Sequence, residues 1–148
     1  RRMIISASED IGLANPNALL LANACFETIE KIGMPEGRIP MSQTAVYLAT
    51  SEKSNSAYLA IKNAAGLVKE TGNLQVPLKL RNAPTKLMKD IGYGSDYKYA
   101  HDYDGHFVKE NLLPDSIIKT TLYNPQENRI ELKIKERLKS LWGDYYDW

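Results

Sequence analysis

One helical repeat constrains this chain more than any other feature. Between Asn15 and Gly33 the apolar residues Ala18, Leu21, Ala22, Cys25, Phe26, Ile29 and Ile32 recur at steps of three and four. That spacing puts them on one face of an amphipathic helix, a face that has to be covered. Asn15 is placed to cap the helix, Pro16 suits the first helical position where a missing N–H costs nothing, and Gly33 can take the conformation that ends it.

Two more helices follow. Pro40 opens one whose inward face is expected to hold Met41, Ala45, Leu48 and Ala49, before the polar link Thr50-Ser51-Glu52-Lys53. The next spans 54–71, with a stripe of Ala57, Ala60, Ile61, Ala64 and Val68 and a stop at Gly72. Its small side chains let another helix approach closely. Links this short favour antiparallel neighbours, so residues 1–72 are predicted to form a compact helical cluster.

The region 73–123 changes character. Pro77, Pro84, Gly92, Gly94 and Gly105 break regular structure, leaving one short helix over 84–91 that stops at Gly92. Tyr93, Tyr97, Tyr99, Tyr103 and Phe107 crowd one stretch of it, and disordered segments are poor in aromatics. An ordered aromatic loop wrapped against the helices is the expectation.

Asn124-Pro125-Gln126-Glu127 has the form of a capping box. It predicts a last helix over 124–142 with Ile130, Ile134, Leu138 and Leu141 inward and Glu131 and Lys135 paired outside. Thr120–Tyr123 can add a short extended piece before it, and 143–148 is a tail. The fold class is all-α, as a single domain over 1–148.

Composition narrows the function. With 19 basic and 18 acidic residues, no whole-chain field draws the protein to DNA or to a membrane, so a nucleic-acid contact has to come from a local patch. The lone Cys25 cannot build a disulfide scaffold, and no apolar run or export signal points out of the cytoplasm. The opening Arg1-Arg2-Met3 lacks an initiator methionine in first place and reads as a segment of something longer.

Catalytic patterns are scarce. A nucleotide-hydrolysing site needs a glycine-rich cradle ending in Gly-Lys-Ser/Thr, and no such string occurs. Gly92-Tyr93-Gly94 is the closest glycine pair, and it reads as a helix stop and a turn. His101-Asp102-Tyr103-Asp104-Gly105-His106 offers two imidazoles and two carboxylates, a thin set for a small metal-dependent hydrolase and an ordinary one for loop hydrogen bonds. Ser6, Ser8 and Ser51 have no histidine nearby in sequence to act as a base. No catalytic, cofactor-binding or metal residue is assigned.

Two basic regions remain. Lys79, Arg81, Lys86, Lys89 and Lys98 interleave with Tyr97 and Tyr99, a pattern that can grip phosphates and stack on bases, or simply form a solvated face. Arg129, Lys133, Lys135, Arg137 and Lys139 lie on the last helix, diluted by glutamates. The stripe of Ala57, Ala60 and Ala64 fits packing within the chain or between subunits. Tyr47 and Tyr58 are either edge residues of a monomer or interface anchors.

Whole strings then become recognisable. Met3-Ile4-Ile5-Ser6-Ala7-Ser8-Glu9-Asp10-Ile11-Gly12-Leu13-Ala14-Asn15-Pro16-Asn17 resembles the start of the C-terminal domain of RarA/MgsA AAA+ ATPases, the replication-associated recombination family related to the Werner-helicase-interacting ATPase. The likeness continues through Gly33-Met34-Pro35-Glu36-Gly37-Arg38-Ile39-Pro40, Lys53-Ser54-Asn55-Ser56-Ala57-Tyr58, Val76-Pro77-Leu78, Tyr97-Lys98-Tyr99, His101-Asp102-Tyr103 and Leu113-Pro114. Ala100 and His106-Phe107 depart from the family pattern, and 143–148 has no counterpart in it.

The resemblance implies a helical oligomerisation domain like the collar of clamp loaders, joining subunits into a tetramer at stalled replication forks. It also implies a parent with an N-terminal ATPase core and lid, absent here, which bind ATP and Mg. The parent would be DNA-dependent, partnered by DNA and single-strand-binding protein, and cytoplasmic at the nucleoid. Self-association is thus the leading expectation, with DNA binding through the lysine and tyrosine loop as the alternative.

Overall fold

The computed structural model describes residues 1–148 and is all-helical. Its α-helices are α1 (Arg2–Ser6), α2 (Asn17–Ile32), α3 (Arg38–Thr50), α4 (Ser56–Thr71), α5 (Lys86–Asp90) and α6 (Arg129–Trp142). α1 continues directly into a π-helical turn at Ala7–Ile11 and a 3-10 turn at Gly12–Ala14. None of these helices is long and apolar enough to cross a membrane.

The core lies where this N-terminal segment meets α2 and α3. Ala7, Ile11, Ala18, Ala22 and Leu48 are buried there, with Met3, Ile4, Leu19 and Tyr47 packed around them. Three of the five are alanines, so the backbones come close and little apolar area is removed from water. Gly12, at φ +48, sits directly under the link into α4, and a Cβ there would lie 2.8 Å from the Ser54 carbonyl oxygen. The Ser54 amide donates to the Asp10 carbonyl at 2.8 Å, which fixes that crossing.

Several expectations need correcting. Asn15 does not cap α2 with its side chain. Its amide donates instead to Tyr47 Oη at 2.9 Å and Ser51 Oγ at 3.2 Å, tying α2 to the end of α3. On α3 the inward residues are Thr44 and Leu48, while Met41, Ala45 and Ala49 are exposed. The buried Gly37, whose Cβ would meet the Gly33 carbonyl at 2.7 Å, sets the helix down on that side.

The capping pair of α6 also lies four residues later than expected. Asn128 Oδ1 accepts from the Glu131 amide at 3.0 Å, and Asn124–Glu127 is not helical. Gln126 explains the delay: its side-chain amide donates to Asn55 Oδ1 at 2.6 Å, so this stretch is held across the helical cluster before the chain can coil. Thr120–Tyr123 is irregular and pairs with no strand.

The middle segment meets the last helix: Tyr123 bonds to Glu131 at its start, and Lys119 lies 5.2 Å over the Tyr145 ring just past its end. Its turns bond to one another, as in Gly94 N to Leu78 O at 2.9 Å and Lys79 Nζ to Glu110 Oε1 at 2.9 Å. None of its helical turns packs closely on α1–α4. This arm of loops and short turns also packs on α6 through the edge-to-face contact of Phe107 with Trp142, ring centroids 5.2 Å apart.

Candidate subunit interface

α4 is a sixteen-residue helix whose only buried residue is Ser56, at its first position. Within the chain it packs on the turns that follow α1 and along no other helix. An isolated helix of this length is marginal in water, and the turns after α1 supply its packing within the chain. Tyr58, Leu59, Ile61 and Val68 stand exposed on it, Ile61 by 67%.

Between the α1 end and α4 lies an open apolar groove of about 480 Å³, lined by Ile4, Ile5, Ala57, Tyr58 and Ile61 together with Ser8 and Glu9. The sequence candidates divide here. Ala57 and Tyr58 lie in this groove, and Ala60 and Ala64 are half-buried along the same helix. Tyr47 is elsewhere, half-buried and bonded to Asn15 inside the fold.

The start of α4 is held by a feature that the sequence reading used only as a surface pair. Glu131 is completely buried. Tyr123 Oη donates to its Oε1 at 2.9 Å and Asn128 Nδ2 donates to its Oε2, while the hydroxyls of Ser54 and Ser56, the first donating to the second at 3.0 Å, lie beside it. Burial pushes this carboxyl up, but the bonds from Ser54, Ser56, Asn128 and Tyr123 outweigh that and hold it below its usual value. Burial, then the hydrogen bond it donates to Glu131 and the charge of that carboxylate, push the Tyr123 phenol up. The Asn-x-x-Glu spacing at 128–131 was a legible signal for the cap, whereas nothing in sequence joined Ser54, Ser56 and Tyr123 to it.

The basic loop residues are also divided. Lys79 is paired with Glu110. Arg81 donates to the Val76 carbonyl at 2.7 Å, to Gln75 Oε1 at 3.0 Å and to Tyr93 Oη at 3.1 Å, and its guanidinium lies 5.0 Å over the Tyr93 ring. Both therefore hold the arm together. Lys86, Lys89, Tyr97, Lys98 and Tyr99 stay exposed. His101 stacks between Tyr99 and His106, with centroids 5.0 and 4.9 Å away, and no group of three or more possible ligands converges to hold a metal ion.

Comparison with known proteins identifies the frame. The family model described as MgsA AAA+ ATPase C terminal matches residues 1–142. The chain belongs to this MgsA C-terminal family.

Among relatives of this MgsA C-terminal domain, replication-associated recombination protein A of Coxiella burnetii is 50% identical over 140 residues, covering 94% of this chain and 32% of that protein. The protein of the same name from Escherichia coli K12 is 42% identical over 139 residues, covering 93% and 31%. The ATPase WRNIP1 of Dictyostelium discoideum is 46% identical over 118 residues, covering 79% and 14%. The MgsA C-terminal domain thus spans less than a third of each of these relatives. Residues 143–148 lie beyond the matched stretch.

Proposed function

We propose that this domain joins the subunits of a AAA+ ATPase of replication-associated recombination into a homo-oligomer, a tetramer, through the α1/α4 face. The supporting observation is the surface left open. The chain exposes 10655 Å². A self-contained monomer of 16.7 kDa exposes about 7,600 Å² by the usual size scaling. The excess, about 3,000 Å², is the scale of surface that obligate oligomers bury. Only 13 of 148 residues are buried, too few to hold a domain of this length together alone.

The chain holds no glycine-rich cradle ending in Gly-Lys-Ser/Thr, the string that a phosphate-binding loop of that kind needs. Nucleotide binding belongs to the ATPase part of the parent, whose subunits this domain spaces. DNA and single-strand-binding protein are partners of that parent in the cytoplasm.

Sedimentation tests the reading. Ile61→Glu puts a charge on an exposed position, so the helices stay folded while association weakens at least tenfold. An Ile61→Glu chain with unchanged association would remove α4 from the interface. DNA contact is a second reading that rests on Tyr97 and Tyr99, 56% and 54% exposed on either side of Lys98.

A further inference from the structure

The family model matches residues 1–142, and the six residues that follow add three rings, Tyr145, Tyr146 and Trp148, to an aromatic cluster at the end of α6. We propose that residues 143–148 are an aromatic strap that holds residues 107–119 of the arm against α6. Gly143 sets the turn: it ends α6 at φ +57, a conformation that side chains rarely adopt. The chain then bends back onto the last residue of that helix. Tyr145 and Tyr146 lie 5.4 and 5.0 Å from Trp142, centroid to centroid, and 4.8 Å from each other. Trp148 follows 5.7 Å from Tyr146, with its Nε1 buried. Asp144 and Asp147 are exposed and form no ion pair, so rings and not carboxylates hold the strap.

The arm reaches this cluster at three points. Phe107 meets Trp142 edge to face at 5.2 Å, Lys119 Nζ lies 5.2 Å over the Tyr145 ring, and a Cβ at Gly143 would come 3.4 Å from Lys109 Nζ. The first contact is to α6, and the other two are to the strap itself. Within the arm, the hydrogen bonds of 111–120 stay local. The Asn111 side chain bonds to Leu113, the Ile117 amide donates to the Pro114 carbonyl at 3.0 Å, and the Thr120 amide donates to the Ile117 carbonyl at 3.2 Å. Short turns of this kind open readily unless side chains from elsewhere pack on them. Ring pairs and a cation over a ring supply that packing here.

Hydrogen exchange on the whole chain tests the strap. Tyr145→Ala with Tyr146→Ala should speed exchange of the Ile117 and Thr120 amides about tenfold and leave the amides of α2 and α3 unchanged. Tyr145→Phe with Tyr146→Phe keeps the rings and should keep the rates of the unmodified chain. Unchanged rates at Ile117 and Thr120 in the alanine variant would overturn the strap, and so would an equal rise in α2 and α3.

A second readout comes from the tryptophans. The chain has two, Trp142 and Trp148, and both sit in this cluster, so their fluorescence reports on it alone. Lys119→Ala, at an exposed position of the arm, leaves the helices folded and should make them about twofold more accessible to acrylamide. Unchanged quenching in that variant would overturn the hold between arm and strap.

Discussion

Tyr123 Oη donates to Glu131 Oε1 at 2.9 Å across the turn that begins α6, and the accepting carboxylate has no exposure to solvent. This contact closes a network through Asn128, Ser54 and Ser56 that binds the last helix to the first residues of α4. A buried anion is costly unless its donors stay in place, here Tyr123 and Asn128 on the two carboxylate oxygens.

The network makes stability depend on pH at both ends of the range. Glu131 is held below the usual carboxylate value, so its contribution is complete above that value and is lost as pH falls through the lowered one. Tyr123 is pushed above the ordinary tyrosine value of about 10, so its contribution is complete below about 10 and is lost as pH rises further. Denaturant unfolding at fixed protein concentration should show a plateau between about pH 6 and pH 9 with a decline on each side. Glu131→Gln should flatten the acid limb. An unchanged acid limb in that variant would dissociate the network from acid stability.

Removing single members should be costly. Glu131→Ala leaves several donors buried without an acceptor, and about 3 kcal/mol should be lost. Tyr123→Phe removes one bond to a charged acceptor and should cost about 1.5 to 3 kcal/mol. The midpoint of urea unfolding measures both, and the double variant should lose less than the sum because the two residues share one bond.

The position of the α6 cap can be tested by comparing two asparagines. Asn128→Ala should cost about 2 kcal/mol, since it removes both the cap and a donor to buried Glu131. Asn124→Ala, in the exposed stretch before the cap, should change stability by less than about 0.5 kcal/mol. Equal effects would contradict the cap at 128.

Gly12 is the most constrained glycine near the core. Its φ of +48 strains any side chain, and a Cβ would press on the Ser54 backbone 2.8 Å away. Gly12→Ala should therefore destabilise by about 2 kcal/mol or more. Thermal unfolding at constant concentration gives the value, and a neutral result would contradict the close crossing of the two segments.

The α-helical class and the α2 stripe were legible because periodicity reports them directly: Ala18, Ala22 and Cys25 are the residues buried on that helix. The weight of the N-terminal segment was not, because the π turn at Ala7–Ile11 breaks the spacing of three and four that marks a helix face. The cap of α6 was misplaced because two asparagines four apart both look like caps, and only the long-range bond of Gln126 to Asn55 chooses between them. The contacts of the aromatic loop were not legible: its tyrosines and Phe107 predict that the segment is ordered, but not that Phe107 meets Trp142 of the last helix.

Subunits that bury the surface excess between them give a mass in solution above that of one chain. Light scattering on the unmodified chain, diluted from tens of micromolar downward, should give several times 16.7 kDa at the high end, fourfold for the tetramer, falling toward that value on dilution. A mass of 16.7 kDa at every concentration would contradict the account.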